Sequence, residues 1–213
     1  NCPVLSNDER AEIGTLYKQV SPFVARKRGA ILTARNIASA IETHFLDRPK
    51  DWRPCVYCWR GGQRSGAFQI VLNQIGWHAA RLDGGYKSWR AHVLRELDTL
   101  PSRFRYRVID GPTGAGKTLL LRCLRDAGAQ VLDLENLAGH KGSVLGGPVG
   151  HPQTPRRLFD THLYAALSSF DPARPVWVEG ESKRIGNIHL PSSLMSAMTG
   201  AGRWMVPPAP PDR

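Results

Sequence analysis

The sequence predicts an α/β protein of two domains, each built around a parallel sheet, and three observations predict it. A glycine-rich loop occurs twice, CWRGGQRS at residues 58–65 and GPTGAGKT at residues 111–118, each entered from an apolar run and left through a helix-like segment. Strand and helix signals alternate on both sides of a break at Pro101. At 213 residues the chain has room for two modest cores. The expected division is a first domain over residues 1–97, a linker over 98–104 and a second domain over 105–213, with no internal repeats.

The elements follow in order. Ser6 with Glu9 reads as a capping box opening a short helix. Ser21 and Pro22 open a longer one, with Ile31, Ala34, Ile37, Ala38, Ile41 and Phe45 on one face. A turn at Arg48 and Pro49 leads to residues 55–57, a short buried strand, and a helix is expected directly after Ser65. RLDGG marks the end of another strand and residues 86–97 a helix. In the second half the order is a strand over 105–110, the second loop, a helix ending near Gly128 and a strand at Val131. A glycine-rich loop over 139–150, a helix over 155–168 and a strand at Val176 complete it. The last stretch, GAGRWMVPPAPPDR, is rich in Pro and Gly without periodicity and reads as a frayed tail. The chain opens without a methionine, and the expectation is a fragment cut at both ends.

The first loop is built to hold a thiolate. Gly61 and Gly62 allow the backbone to curl so that successive amides point inward, and Arg60 and Arg64 add fixed positive charge; both favour the ionised form of Cys58. Cys58 is the expected nucleophile, against the plainer reading of a buried cysteine beside a glycine turn. Cys55 makes a CxxC spacing with Cys58 and reads as strand core rather than as a resolving thiol; Cys2 and Cys123 carry no role.

The second loop fits the Walker A pattern, Gly111, four residues, then Gly116, Lys117 and Thr118, in the required context of strand, loop and helix. Amides of the loop, with Gly111, Thr113, Gly114 and Gly116, would cradle a di- or triphosphate. Lys117 would contact the outer phosphate, and the Thr118 hydroxyl would reach a divalent cation such as magnesium. Glu179, after the strand VWVE, and Asp133, after VLDL, are rival acids for the metal-side position, and either also reads as a solvated strand-end carboxylate. No other metal site is expected.

Cys58 with its arginines, followed by GGYKSWR at residues 84–90, resembles the rhodanese-like sulfurtransferase domain. With GPTGAGKT, GHKGSVLG at 139–146, VEGESKRIG at 178–186 and GTLYKQ at 14–19, nearly the whole chain resembles the tRNA 2-selenouridine synthase family. Lys141 and Lys183 stand where that family is expected to carry arginine, trading a bidentate fork for a point charge. The resemblance implies a rhodanese-like α/β domain, N-terminally truncated, followed by a P-loop NTPase-like parallel-sheet domain, C-terminally truncated. It further implies replacement of sulfur in wobble 2-thiouridine of tRNA by selenium from selenophosphate, by way of an S-geranylated intermediate made with geranyl diphosphate. Cys58, Arg60 and Arg64 would serve the selenium step, and the P-loop with Glu179 would hold the diphosphate. Two other readings stay open: an ATP-dependent rhodanese-type sulfurtransferase acting on RNA or a small molecule, and a non-catalytic tRNA-binding fragment.

Charge supports a polyanionic partner. Lys and Arg number 29 against 18 Asp and Glu, a net +11, divided as 15 against 9 up to residue 100 and 14 against 9 beyond it. Arg103, Arg105 and Arg107 alternate with Phe104, Tyr106 and Val108, a spacing that puts them on one face of a strand, as an RNA grip or as a solvated edge. Trp52, Trp59 and Trp89 are base-stacking candidates or core residues. Four cysteines make neither a disulfide framework nor a zinc set, which fits a reducing, cytoplasmic setting. No stretch reaches membrane-spanning length, and no protein partner is expected.

Overall fold

The computed structural model describes residues 2–59, 61–112, 114–140, 153–180 and 182–207. Two compact units divide between Trp89 and Arg90. The division falls inside helix α4 (Gly85–Thr99), and residues 100–103 continue as a 3-10 turn in which Leu100 and Pro101 are buried, as is Phe104 after it.

The first unit opens with α1 (Asn7–Gln19), whose capping box is formed as expected: the Glu9 amide donates to Ser6 Oγ at 3.1 Å and the Ser6 amide to Glu9 Oε2 at 2.7 Å. Helix α2 (Pro22–His44) starts on Ser21, which accepts from the Phe23 amide. Its buried residues are Ala25, Leu32 and Ile37, while Ile31, Ala34 and Ala38 are exposed. The expected apolar face is therefore displaced around the axis, because α2 packs against α1 on one side and α3 (Gln63–Ile75) on the other. Strands β1 (Cys55–Val56) and β2 (Ala80–Arg81) pair in parallel, with Cys55 opposite Ala80. The expectation of a buried strand over 55–57 fails: Cys55 and Tyr57 are exposed, since this strand is only two residues long. Beneath it Val4, Ile37, Phe68, Leu72, Trp77 and Ala79 form the core, edged by Phe45 and Trp52. Trp77 Nε1 donates to the Pro49 carbonyl at 3.0 Å, which satisfies the one polar atom that the buried indole carries.

The second unit is a four-stranded, wholly parallel sheet in the order β4–β5–β3–β8. Its strands are β3 (Tyr106–Asp110), β4 (Gln130–Leu132), β5 (Val176–Glu179) and β8 (Gly202–Met205). Tyr106, Val108, Leu132, Val176 and Val178 share one face and are buried. The remaining helices are α5 (Lys117–Asp126), α6 (Leu134–Ala138), α7 (Arg156–Ser168) and α8 (Ser192–Thr199), and a hairpin pairs β6 (Arg184–Ile185) with β7 (Ile188–His189). Strand β8 corrects the reading of residues 200–213 as a tail: residues 202–205 pair along β3 from Arg107↔Gly202 to Asp110↔Met205. A four-residue edge strand with every residue exposed carries no period-two signal to read.

Within this unit Asp160, 1% exposed, receives Arg90 Nη2 at 2.5 Å and Arg156 Nε at 2.8 Å, and Arg156 also donates to the His189 carbonyl. Losing that carboxylate would strand two guanidinium groups, one of them largely buried, at a cost of about 3–5 kcal/mol by analogy with broken buried pairs. No helix of the described residues is long and apolar enough to cross a membrane.

Candidate active site: a thiol loop and a P-loop

Cys58 stands two residues beyond the end of β1 and faces the start of α3. Helix α3 starts at Gln63, three residues before the expected point, because Gly62 itself caps it in the left-handed conformation at φ 70°, following Gly61 at φ 79°. That double reversal turns the first amides of the helix toward the sulfur. Ser65, 4% exposed, donates its hydroxyl to Cys58 Sγ at 3.4 Å and to the Gly62 carbonyl at 3.2 Å. Partial burial raises the Cys58 thiol, but the Ser65 hydroxyl, the amides of Ser65 and Gly62 and the Arg64 charge outweigh it, holding the group below the ordinary thiol range. Arg60 lies outside the described residues.

The GGYKSWR segment explains itself here. Gly85 is pressed so close to the Cys58 carbonyl that a Cβ would collide with it. The Tyr86 amide donates to that same carbonyl at 2.8 Å, and the Lys87 amide to the Trp59 carbonyl at 3.2 Å. The start of α4 therefore clamps the backbone of Cys58 and Trp59. Trp59, 48% exposed, stacks on Tyr86 with centroids 5.2 Å apart and planes at 22°, whereas Trp52 packs edge-on to Trp77 in the core. A residue that sequence reasoning passed over is Arg81: its guanidinium lies 3.4 Å and 3.2 Å from where Cβ atoms on Gly62 and Gly66 would stand. It comes from the partner strand β2, and only the Val56↔Arg81 pairing brings it to the loop.

In the second unit, Gly111, Gly114 and Gly116 all have positive φ, and Gly116 caps α5. Lys117 Nζ folds back onto the carbonyls of Gly111 at 2.9 Å and Pro112 at 3.1 Å, and lies 3.4 Å from Glu179 Oε1. Thr118 Oγ1 donates to Glu179 Oε2 at 3.3 Å. Burial, then the nearby Glu135 charge, push the Glu179 carboxyl above its ordinary range, with Lys117 and Thr118 opposing. The geometry separates the two rival acids. Asp133 caps α6 through the Asn136 amide at 3.0 Å and pairs with Arg125 at 3.3 Å, so it is occupied elsewhere, while Glu179 sits on the Walker lysine and threonine. Glu135, a second acid beside Glu179, was not singled out from the sequence because nothing in the spacing of LENLA places it near the end of β5. Thr113 and most of GHKGSVLG, with Lys141, lie outside the described residues.

The expected arginine stripe lies only partly on a strand. Arg103 ends the 3-10 turn, Arg105 directly precedes β3 and donates to the Ala173 carbonyl at 2.8 Å, and Arg107 lies in the strand; all three are exposed while Phe104, Tyr106 and Val108 between them are buried.

Comparisons with known proteins agree with this architecture. Residues 19–92 match the family described as "Rhodanese-like domain", and residues 104–209 match "tRNA 2-selenouridine synthase AAA domain". A curated tRNA 2-selenouridine synthase of Nitrosomonas europaea is 36% identical over 198 residues, covering 91% of this chain and 51% of the relative. That of Nitrosomonas eutropha is 36% identical, covering 93% and 52%, and that of a Sulfurovum species 34% identical, covering 94% and 55%. The chain thus spans about half the length of the curated relatives it matches. With a rhodanese-like unit carrying Cys58 joined to a P-loop unit of the selenouridine synthase type, the chain belongs to the tRNA 2-selenouridine synthase family.

Proposed function

We propose that the chain modifies tRNA, replacing the sulfur of wobble 2-thiouridine by selenium from selenophosphate through an S-geranylated intermediate. The observation that carries this reading is the Lys117–Thr118–Glu179 cluster on a P-loop that shares its chain with an activated thiol. In the first step the base sulfur attacks C1 of geranyl diphosphate, the carbon–oxygen bond breaks, and diphosphate leaves as an anion. The amides of Gly111, Thr113, Gly114 and Gly116 and the Lys117 ammonium would bind that leaving group, which requires Lys117 to release the Gly111 and Pro112 carbonyls. In the second step the selenium of selenophosphate attacks C2 of the base and expels geranyl thiolate; water then attacks phosphorus, the phosphorus–selenium bond breaks, and inorganic phosphate leaves the 2-selenouridine. Cys58 serves this step, with Arg60, Arg64 and the loop amides binding selenophosphate.

A magnesium ion fits the P-loop, since the Thr118 hydroxyl and the Glu179 carboxylate face each other across 3.3 Å and would both become ligands. Among the described residues there is no group of three or more His, Cys, Asp or Glu, so oxygen atoms of the diphosphate and water would complete its shell. When bound, the ion would neutralise charge on the departing diphosphate. The net charge of +11 supports a polyanion such as tRNA as the partner.

The two steps are separable. Lys117→Ala should lower geranyl transfer to 2-thiouridine tRNA by about 100-fold or more, while leaving conversion of pre-geranylated tRNA intact. Cys58→Ser should do the reverse. Both are followed by nucleoside mass spectrometry, and equal loss of both steps in both variants would contradict the division of labour.

A further inference from the structure

Beside the Cys58 loop, within the first unit, lies an open groove of about 760 Å³ between α1, α2 and α3. Its walls are apolar, with Leu5, Ile13, Ala30, Ile37, Ala67 and Val71 among them, and it reaches Gly61 and Arg64 of the loop. A second hollow of about 500 Å³ shares Leu5, Ile13 and Arg64 with it and adds Arg10 and Trp59. No acidic side chain lines either among the described residues, while Arg10, Arg26 and Arg64 stand at their edges. The size falls within the roughly 300–1,000 Å³ typical of small-molecule sites. The combination is specific: a floor for hydrocarbon, a cationic rim for phosphate, and Trp59, braced by Tyr86, as a platform on which a base can stack. A ligand that satisfies all three is an apolar chain attached to a nucleotide.

We propose that this groove holds the geranyl chain of the alkylated tRNA base while its sulfur is presented to the Cys58 loop. The inference rests on the two-step reading above, in which the group to be displaced by selenium carries a ten-carbon tail. That tail must lie somewhere beside Cys58, and an apolar groove ending at Gly61 and Arg64 takes it out of water. Arg26, on α2, has no ion pair among the described residues and is available to the phosphates flanking the base.

The test uses this chain with S-geranyl-2-thiouridine 5′-monophosphate and its ungeranylated counterpart as probes in titration calorimetry. The geranylated nucleotide should bind at least about tenfold more tightly, the gain coming from buried hydrocarbon. Ala34→Trp, which fills the groove from an exposed position, should erase that advantage and leave the weaker binding unchanged. Equal affinity of the wild type for both nucleotides overturns the proposal. Because a tryptophan could disturb α2, a geranyl analogue with a diazirine at its far end gives a second readout. Photolabelling of peptides from residues 7–19 and 22–44 supports the assignment, and labelling confined to residues 117–126 overturns it. A dimer in sedimentation that Ala34→Trp dissociates would give the groove to a second copy and likewise overturn it. Loss of the functional reading is distinguishable: chain-dependent binding at the groove with no selenouridine formed from geranylated tRNA would remove the reaction and retain the site.

Discussion

Cys58 and Ser65 act as a pair. The hydroxyl of Ser65 is 3.4 Å from the sulfur, and together with the Ser65 and Gly62 amides and the Arg64 charge it overcomes the burial that would favour the thiol. Alkylation of Cys58 by iodoacetamide should therefore proceed to lower pH than for a free cysteine, and Ser65→Ala should move the midpoint upward. An unchanged profile in that variant would mean that the serine only fills space. Glu179 has the opposite character. Its raised pKa means that its protonated form is the comfortable one in the folded chain: the stability it contributes is present below the ordinary glutamate value of 4.5 and is lost as pH climbs through the raised value. Glu179→Gln should consequently gain in melting temperature relative to wild type as pH rises from about 4 to 7. A difference independent of pH would show that burial and Glu135 do not govern this carboxyl.

At the scale of elements, the start of α4 is the device that shapes the thiol loop. Gly85 touches the Cys58 carbonyl, and the next two amides bind the carbonyls of Cys58 and Trp59. Gly85→Ala should destabilise the chain by about 1–3 kcal/mol, since its φ of 62° and the blocked space both resist a methyl group. It should also slow Cys58 alkylation, whereas the same change at Gly14, which has open space around it, should do neither. Sequence patterns made much of this legible: the capping box and the helix after the Walker loop come from local chemistry and appear where expected, and α3 follows its glycine turn with a start three residues early. What escaped them depends on pairing across the chain. Arg81 reaches the Cys58 loop through its register with Val56, Glu135 reaches Glu179 through the packing of α6, and β8 exists because β3 has an edge to fill. The displaced face of α2 is a similar case, since a helix with two neighbours buries a stripe that neither neighbour alone would predict.

At the scale of the molecule, one chain carries two glycine-turned loops of different chemistry, each entered from a parallel strand and left through a helix. The first sets a serine hydroxyl, helix amides and the Arg64 charge around the Cys58 sulfur; the second sets a lysine and a threonine against a half-buried carboxylate. A thiol loop alone would suit a sulfur carrier, and a P-loop alone a nucleotidase. Their union, in a chain with a net charge of +11, supports the proposal of a tRNA modified in two stages, with alkylation preceding exchange. The most direct measurement is mass spectrometry of nucleosides from 2-thiouridine tRNA incubated with the chain, geranyl diphosphate and selenophosphate. S-geranyl-2-thiouridine should form when selenophosphate is withheld and 2-selenouridine when it is supplied, both lost in Lys117→Ala and only the second in Cys58→Ser. Selenouridine formed at the wild-type rate by Cys58→Ser, or consumption of ATP in place of geranyl diphosphate, would contradict the two-stage proposal.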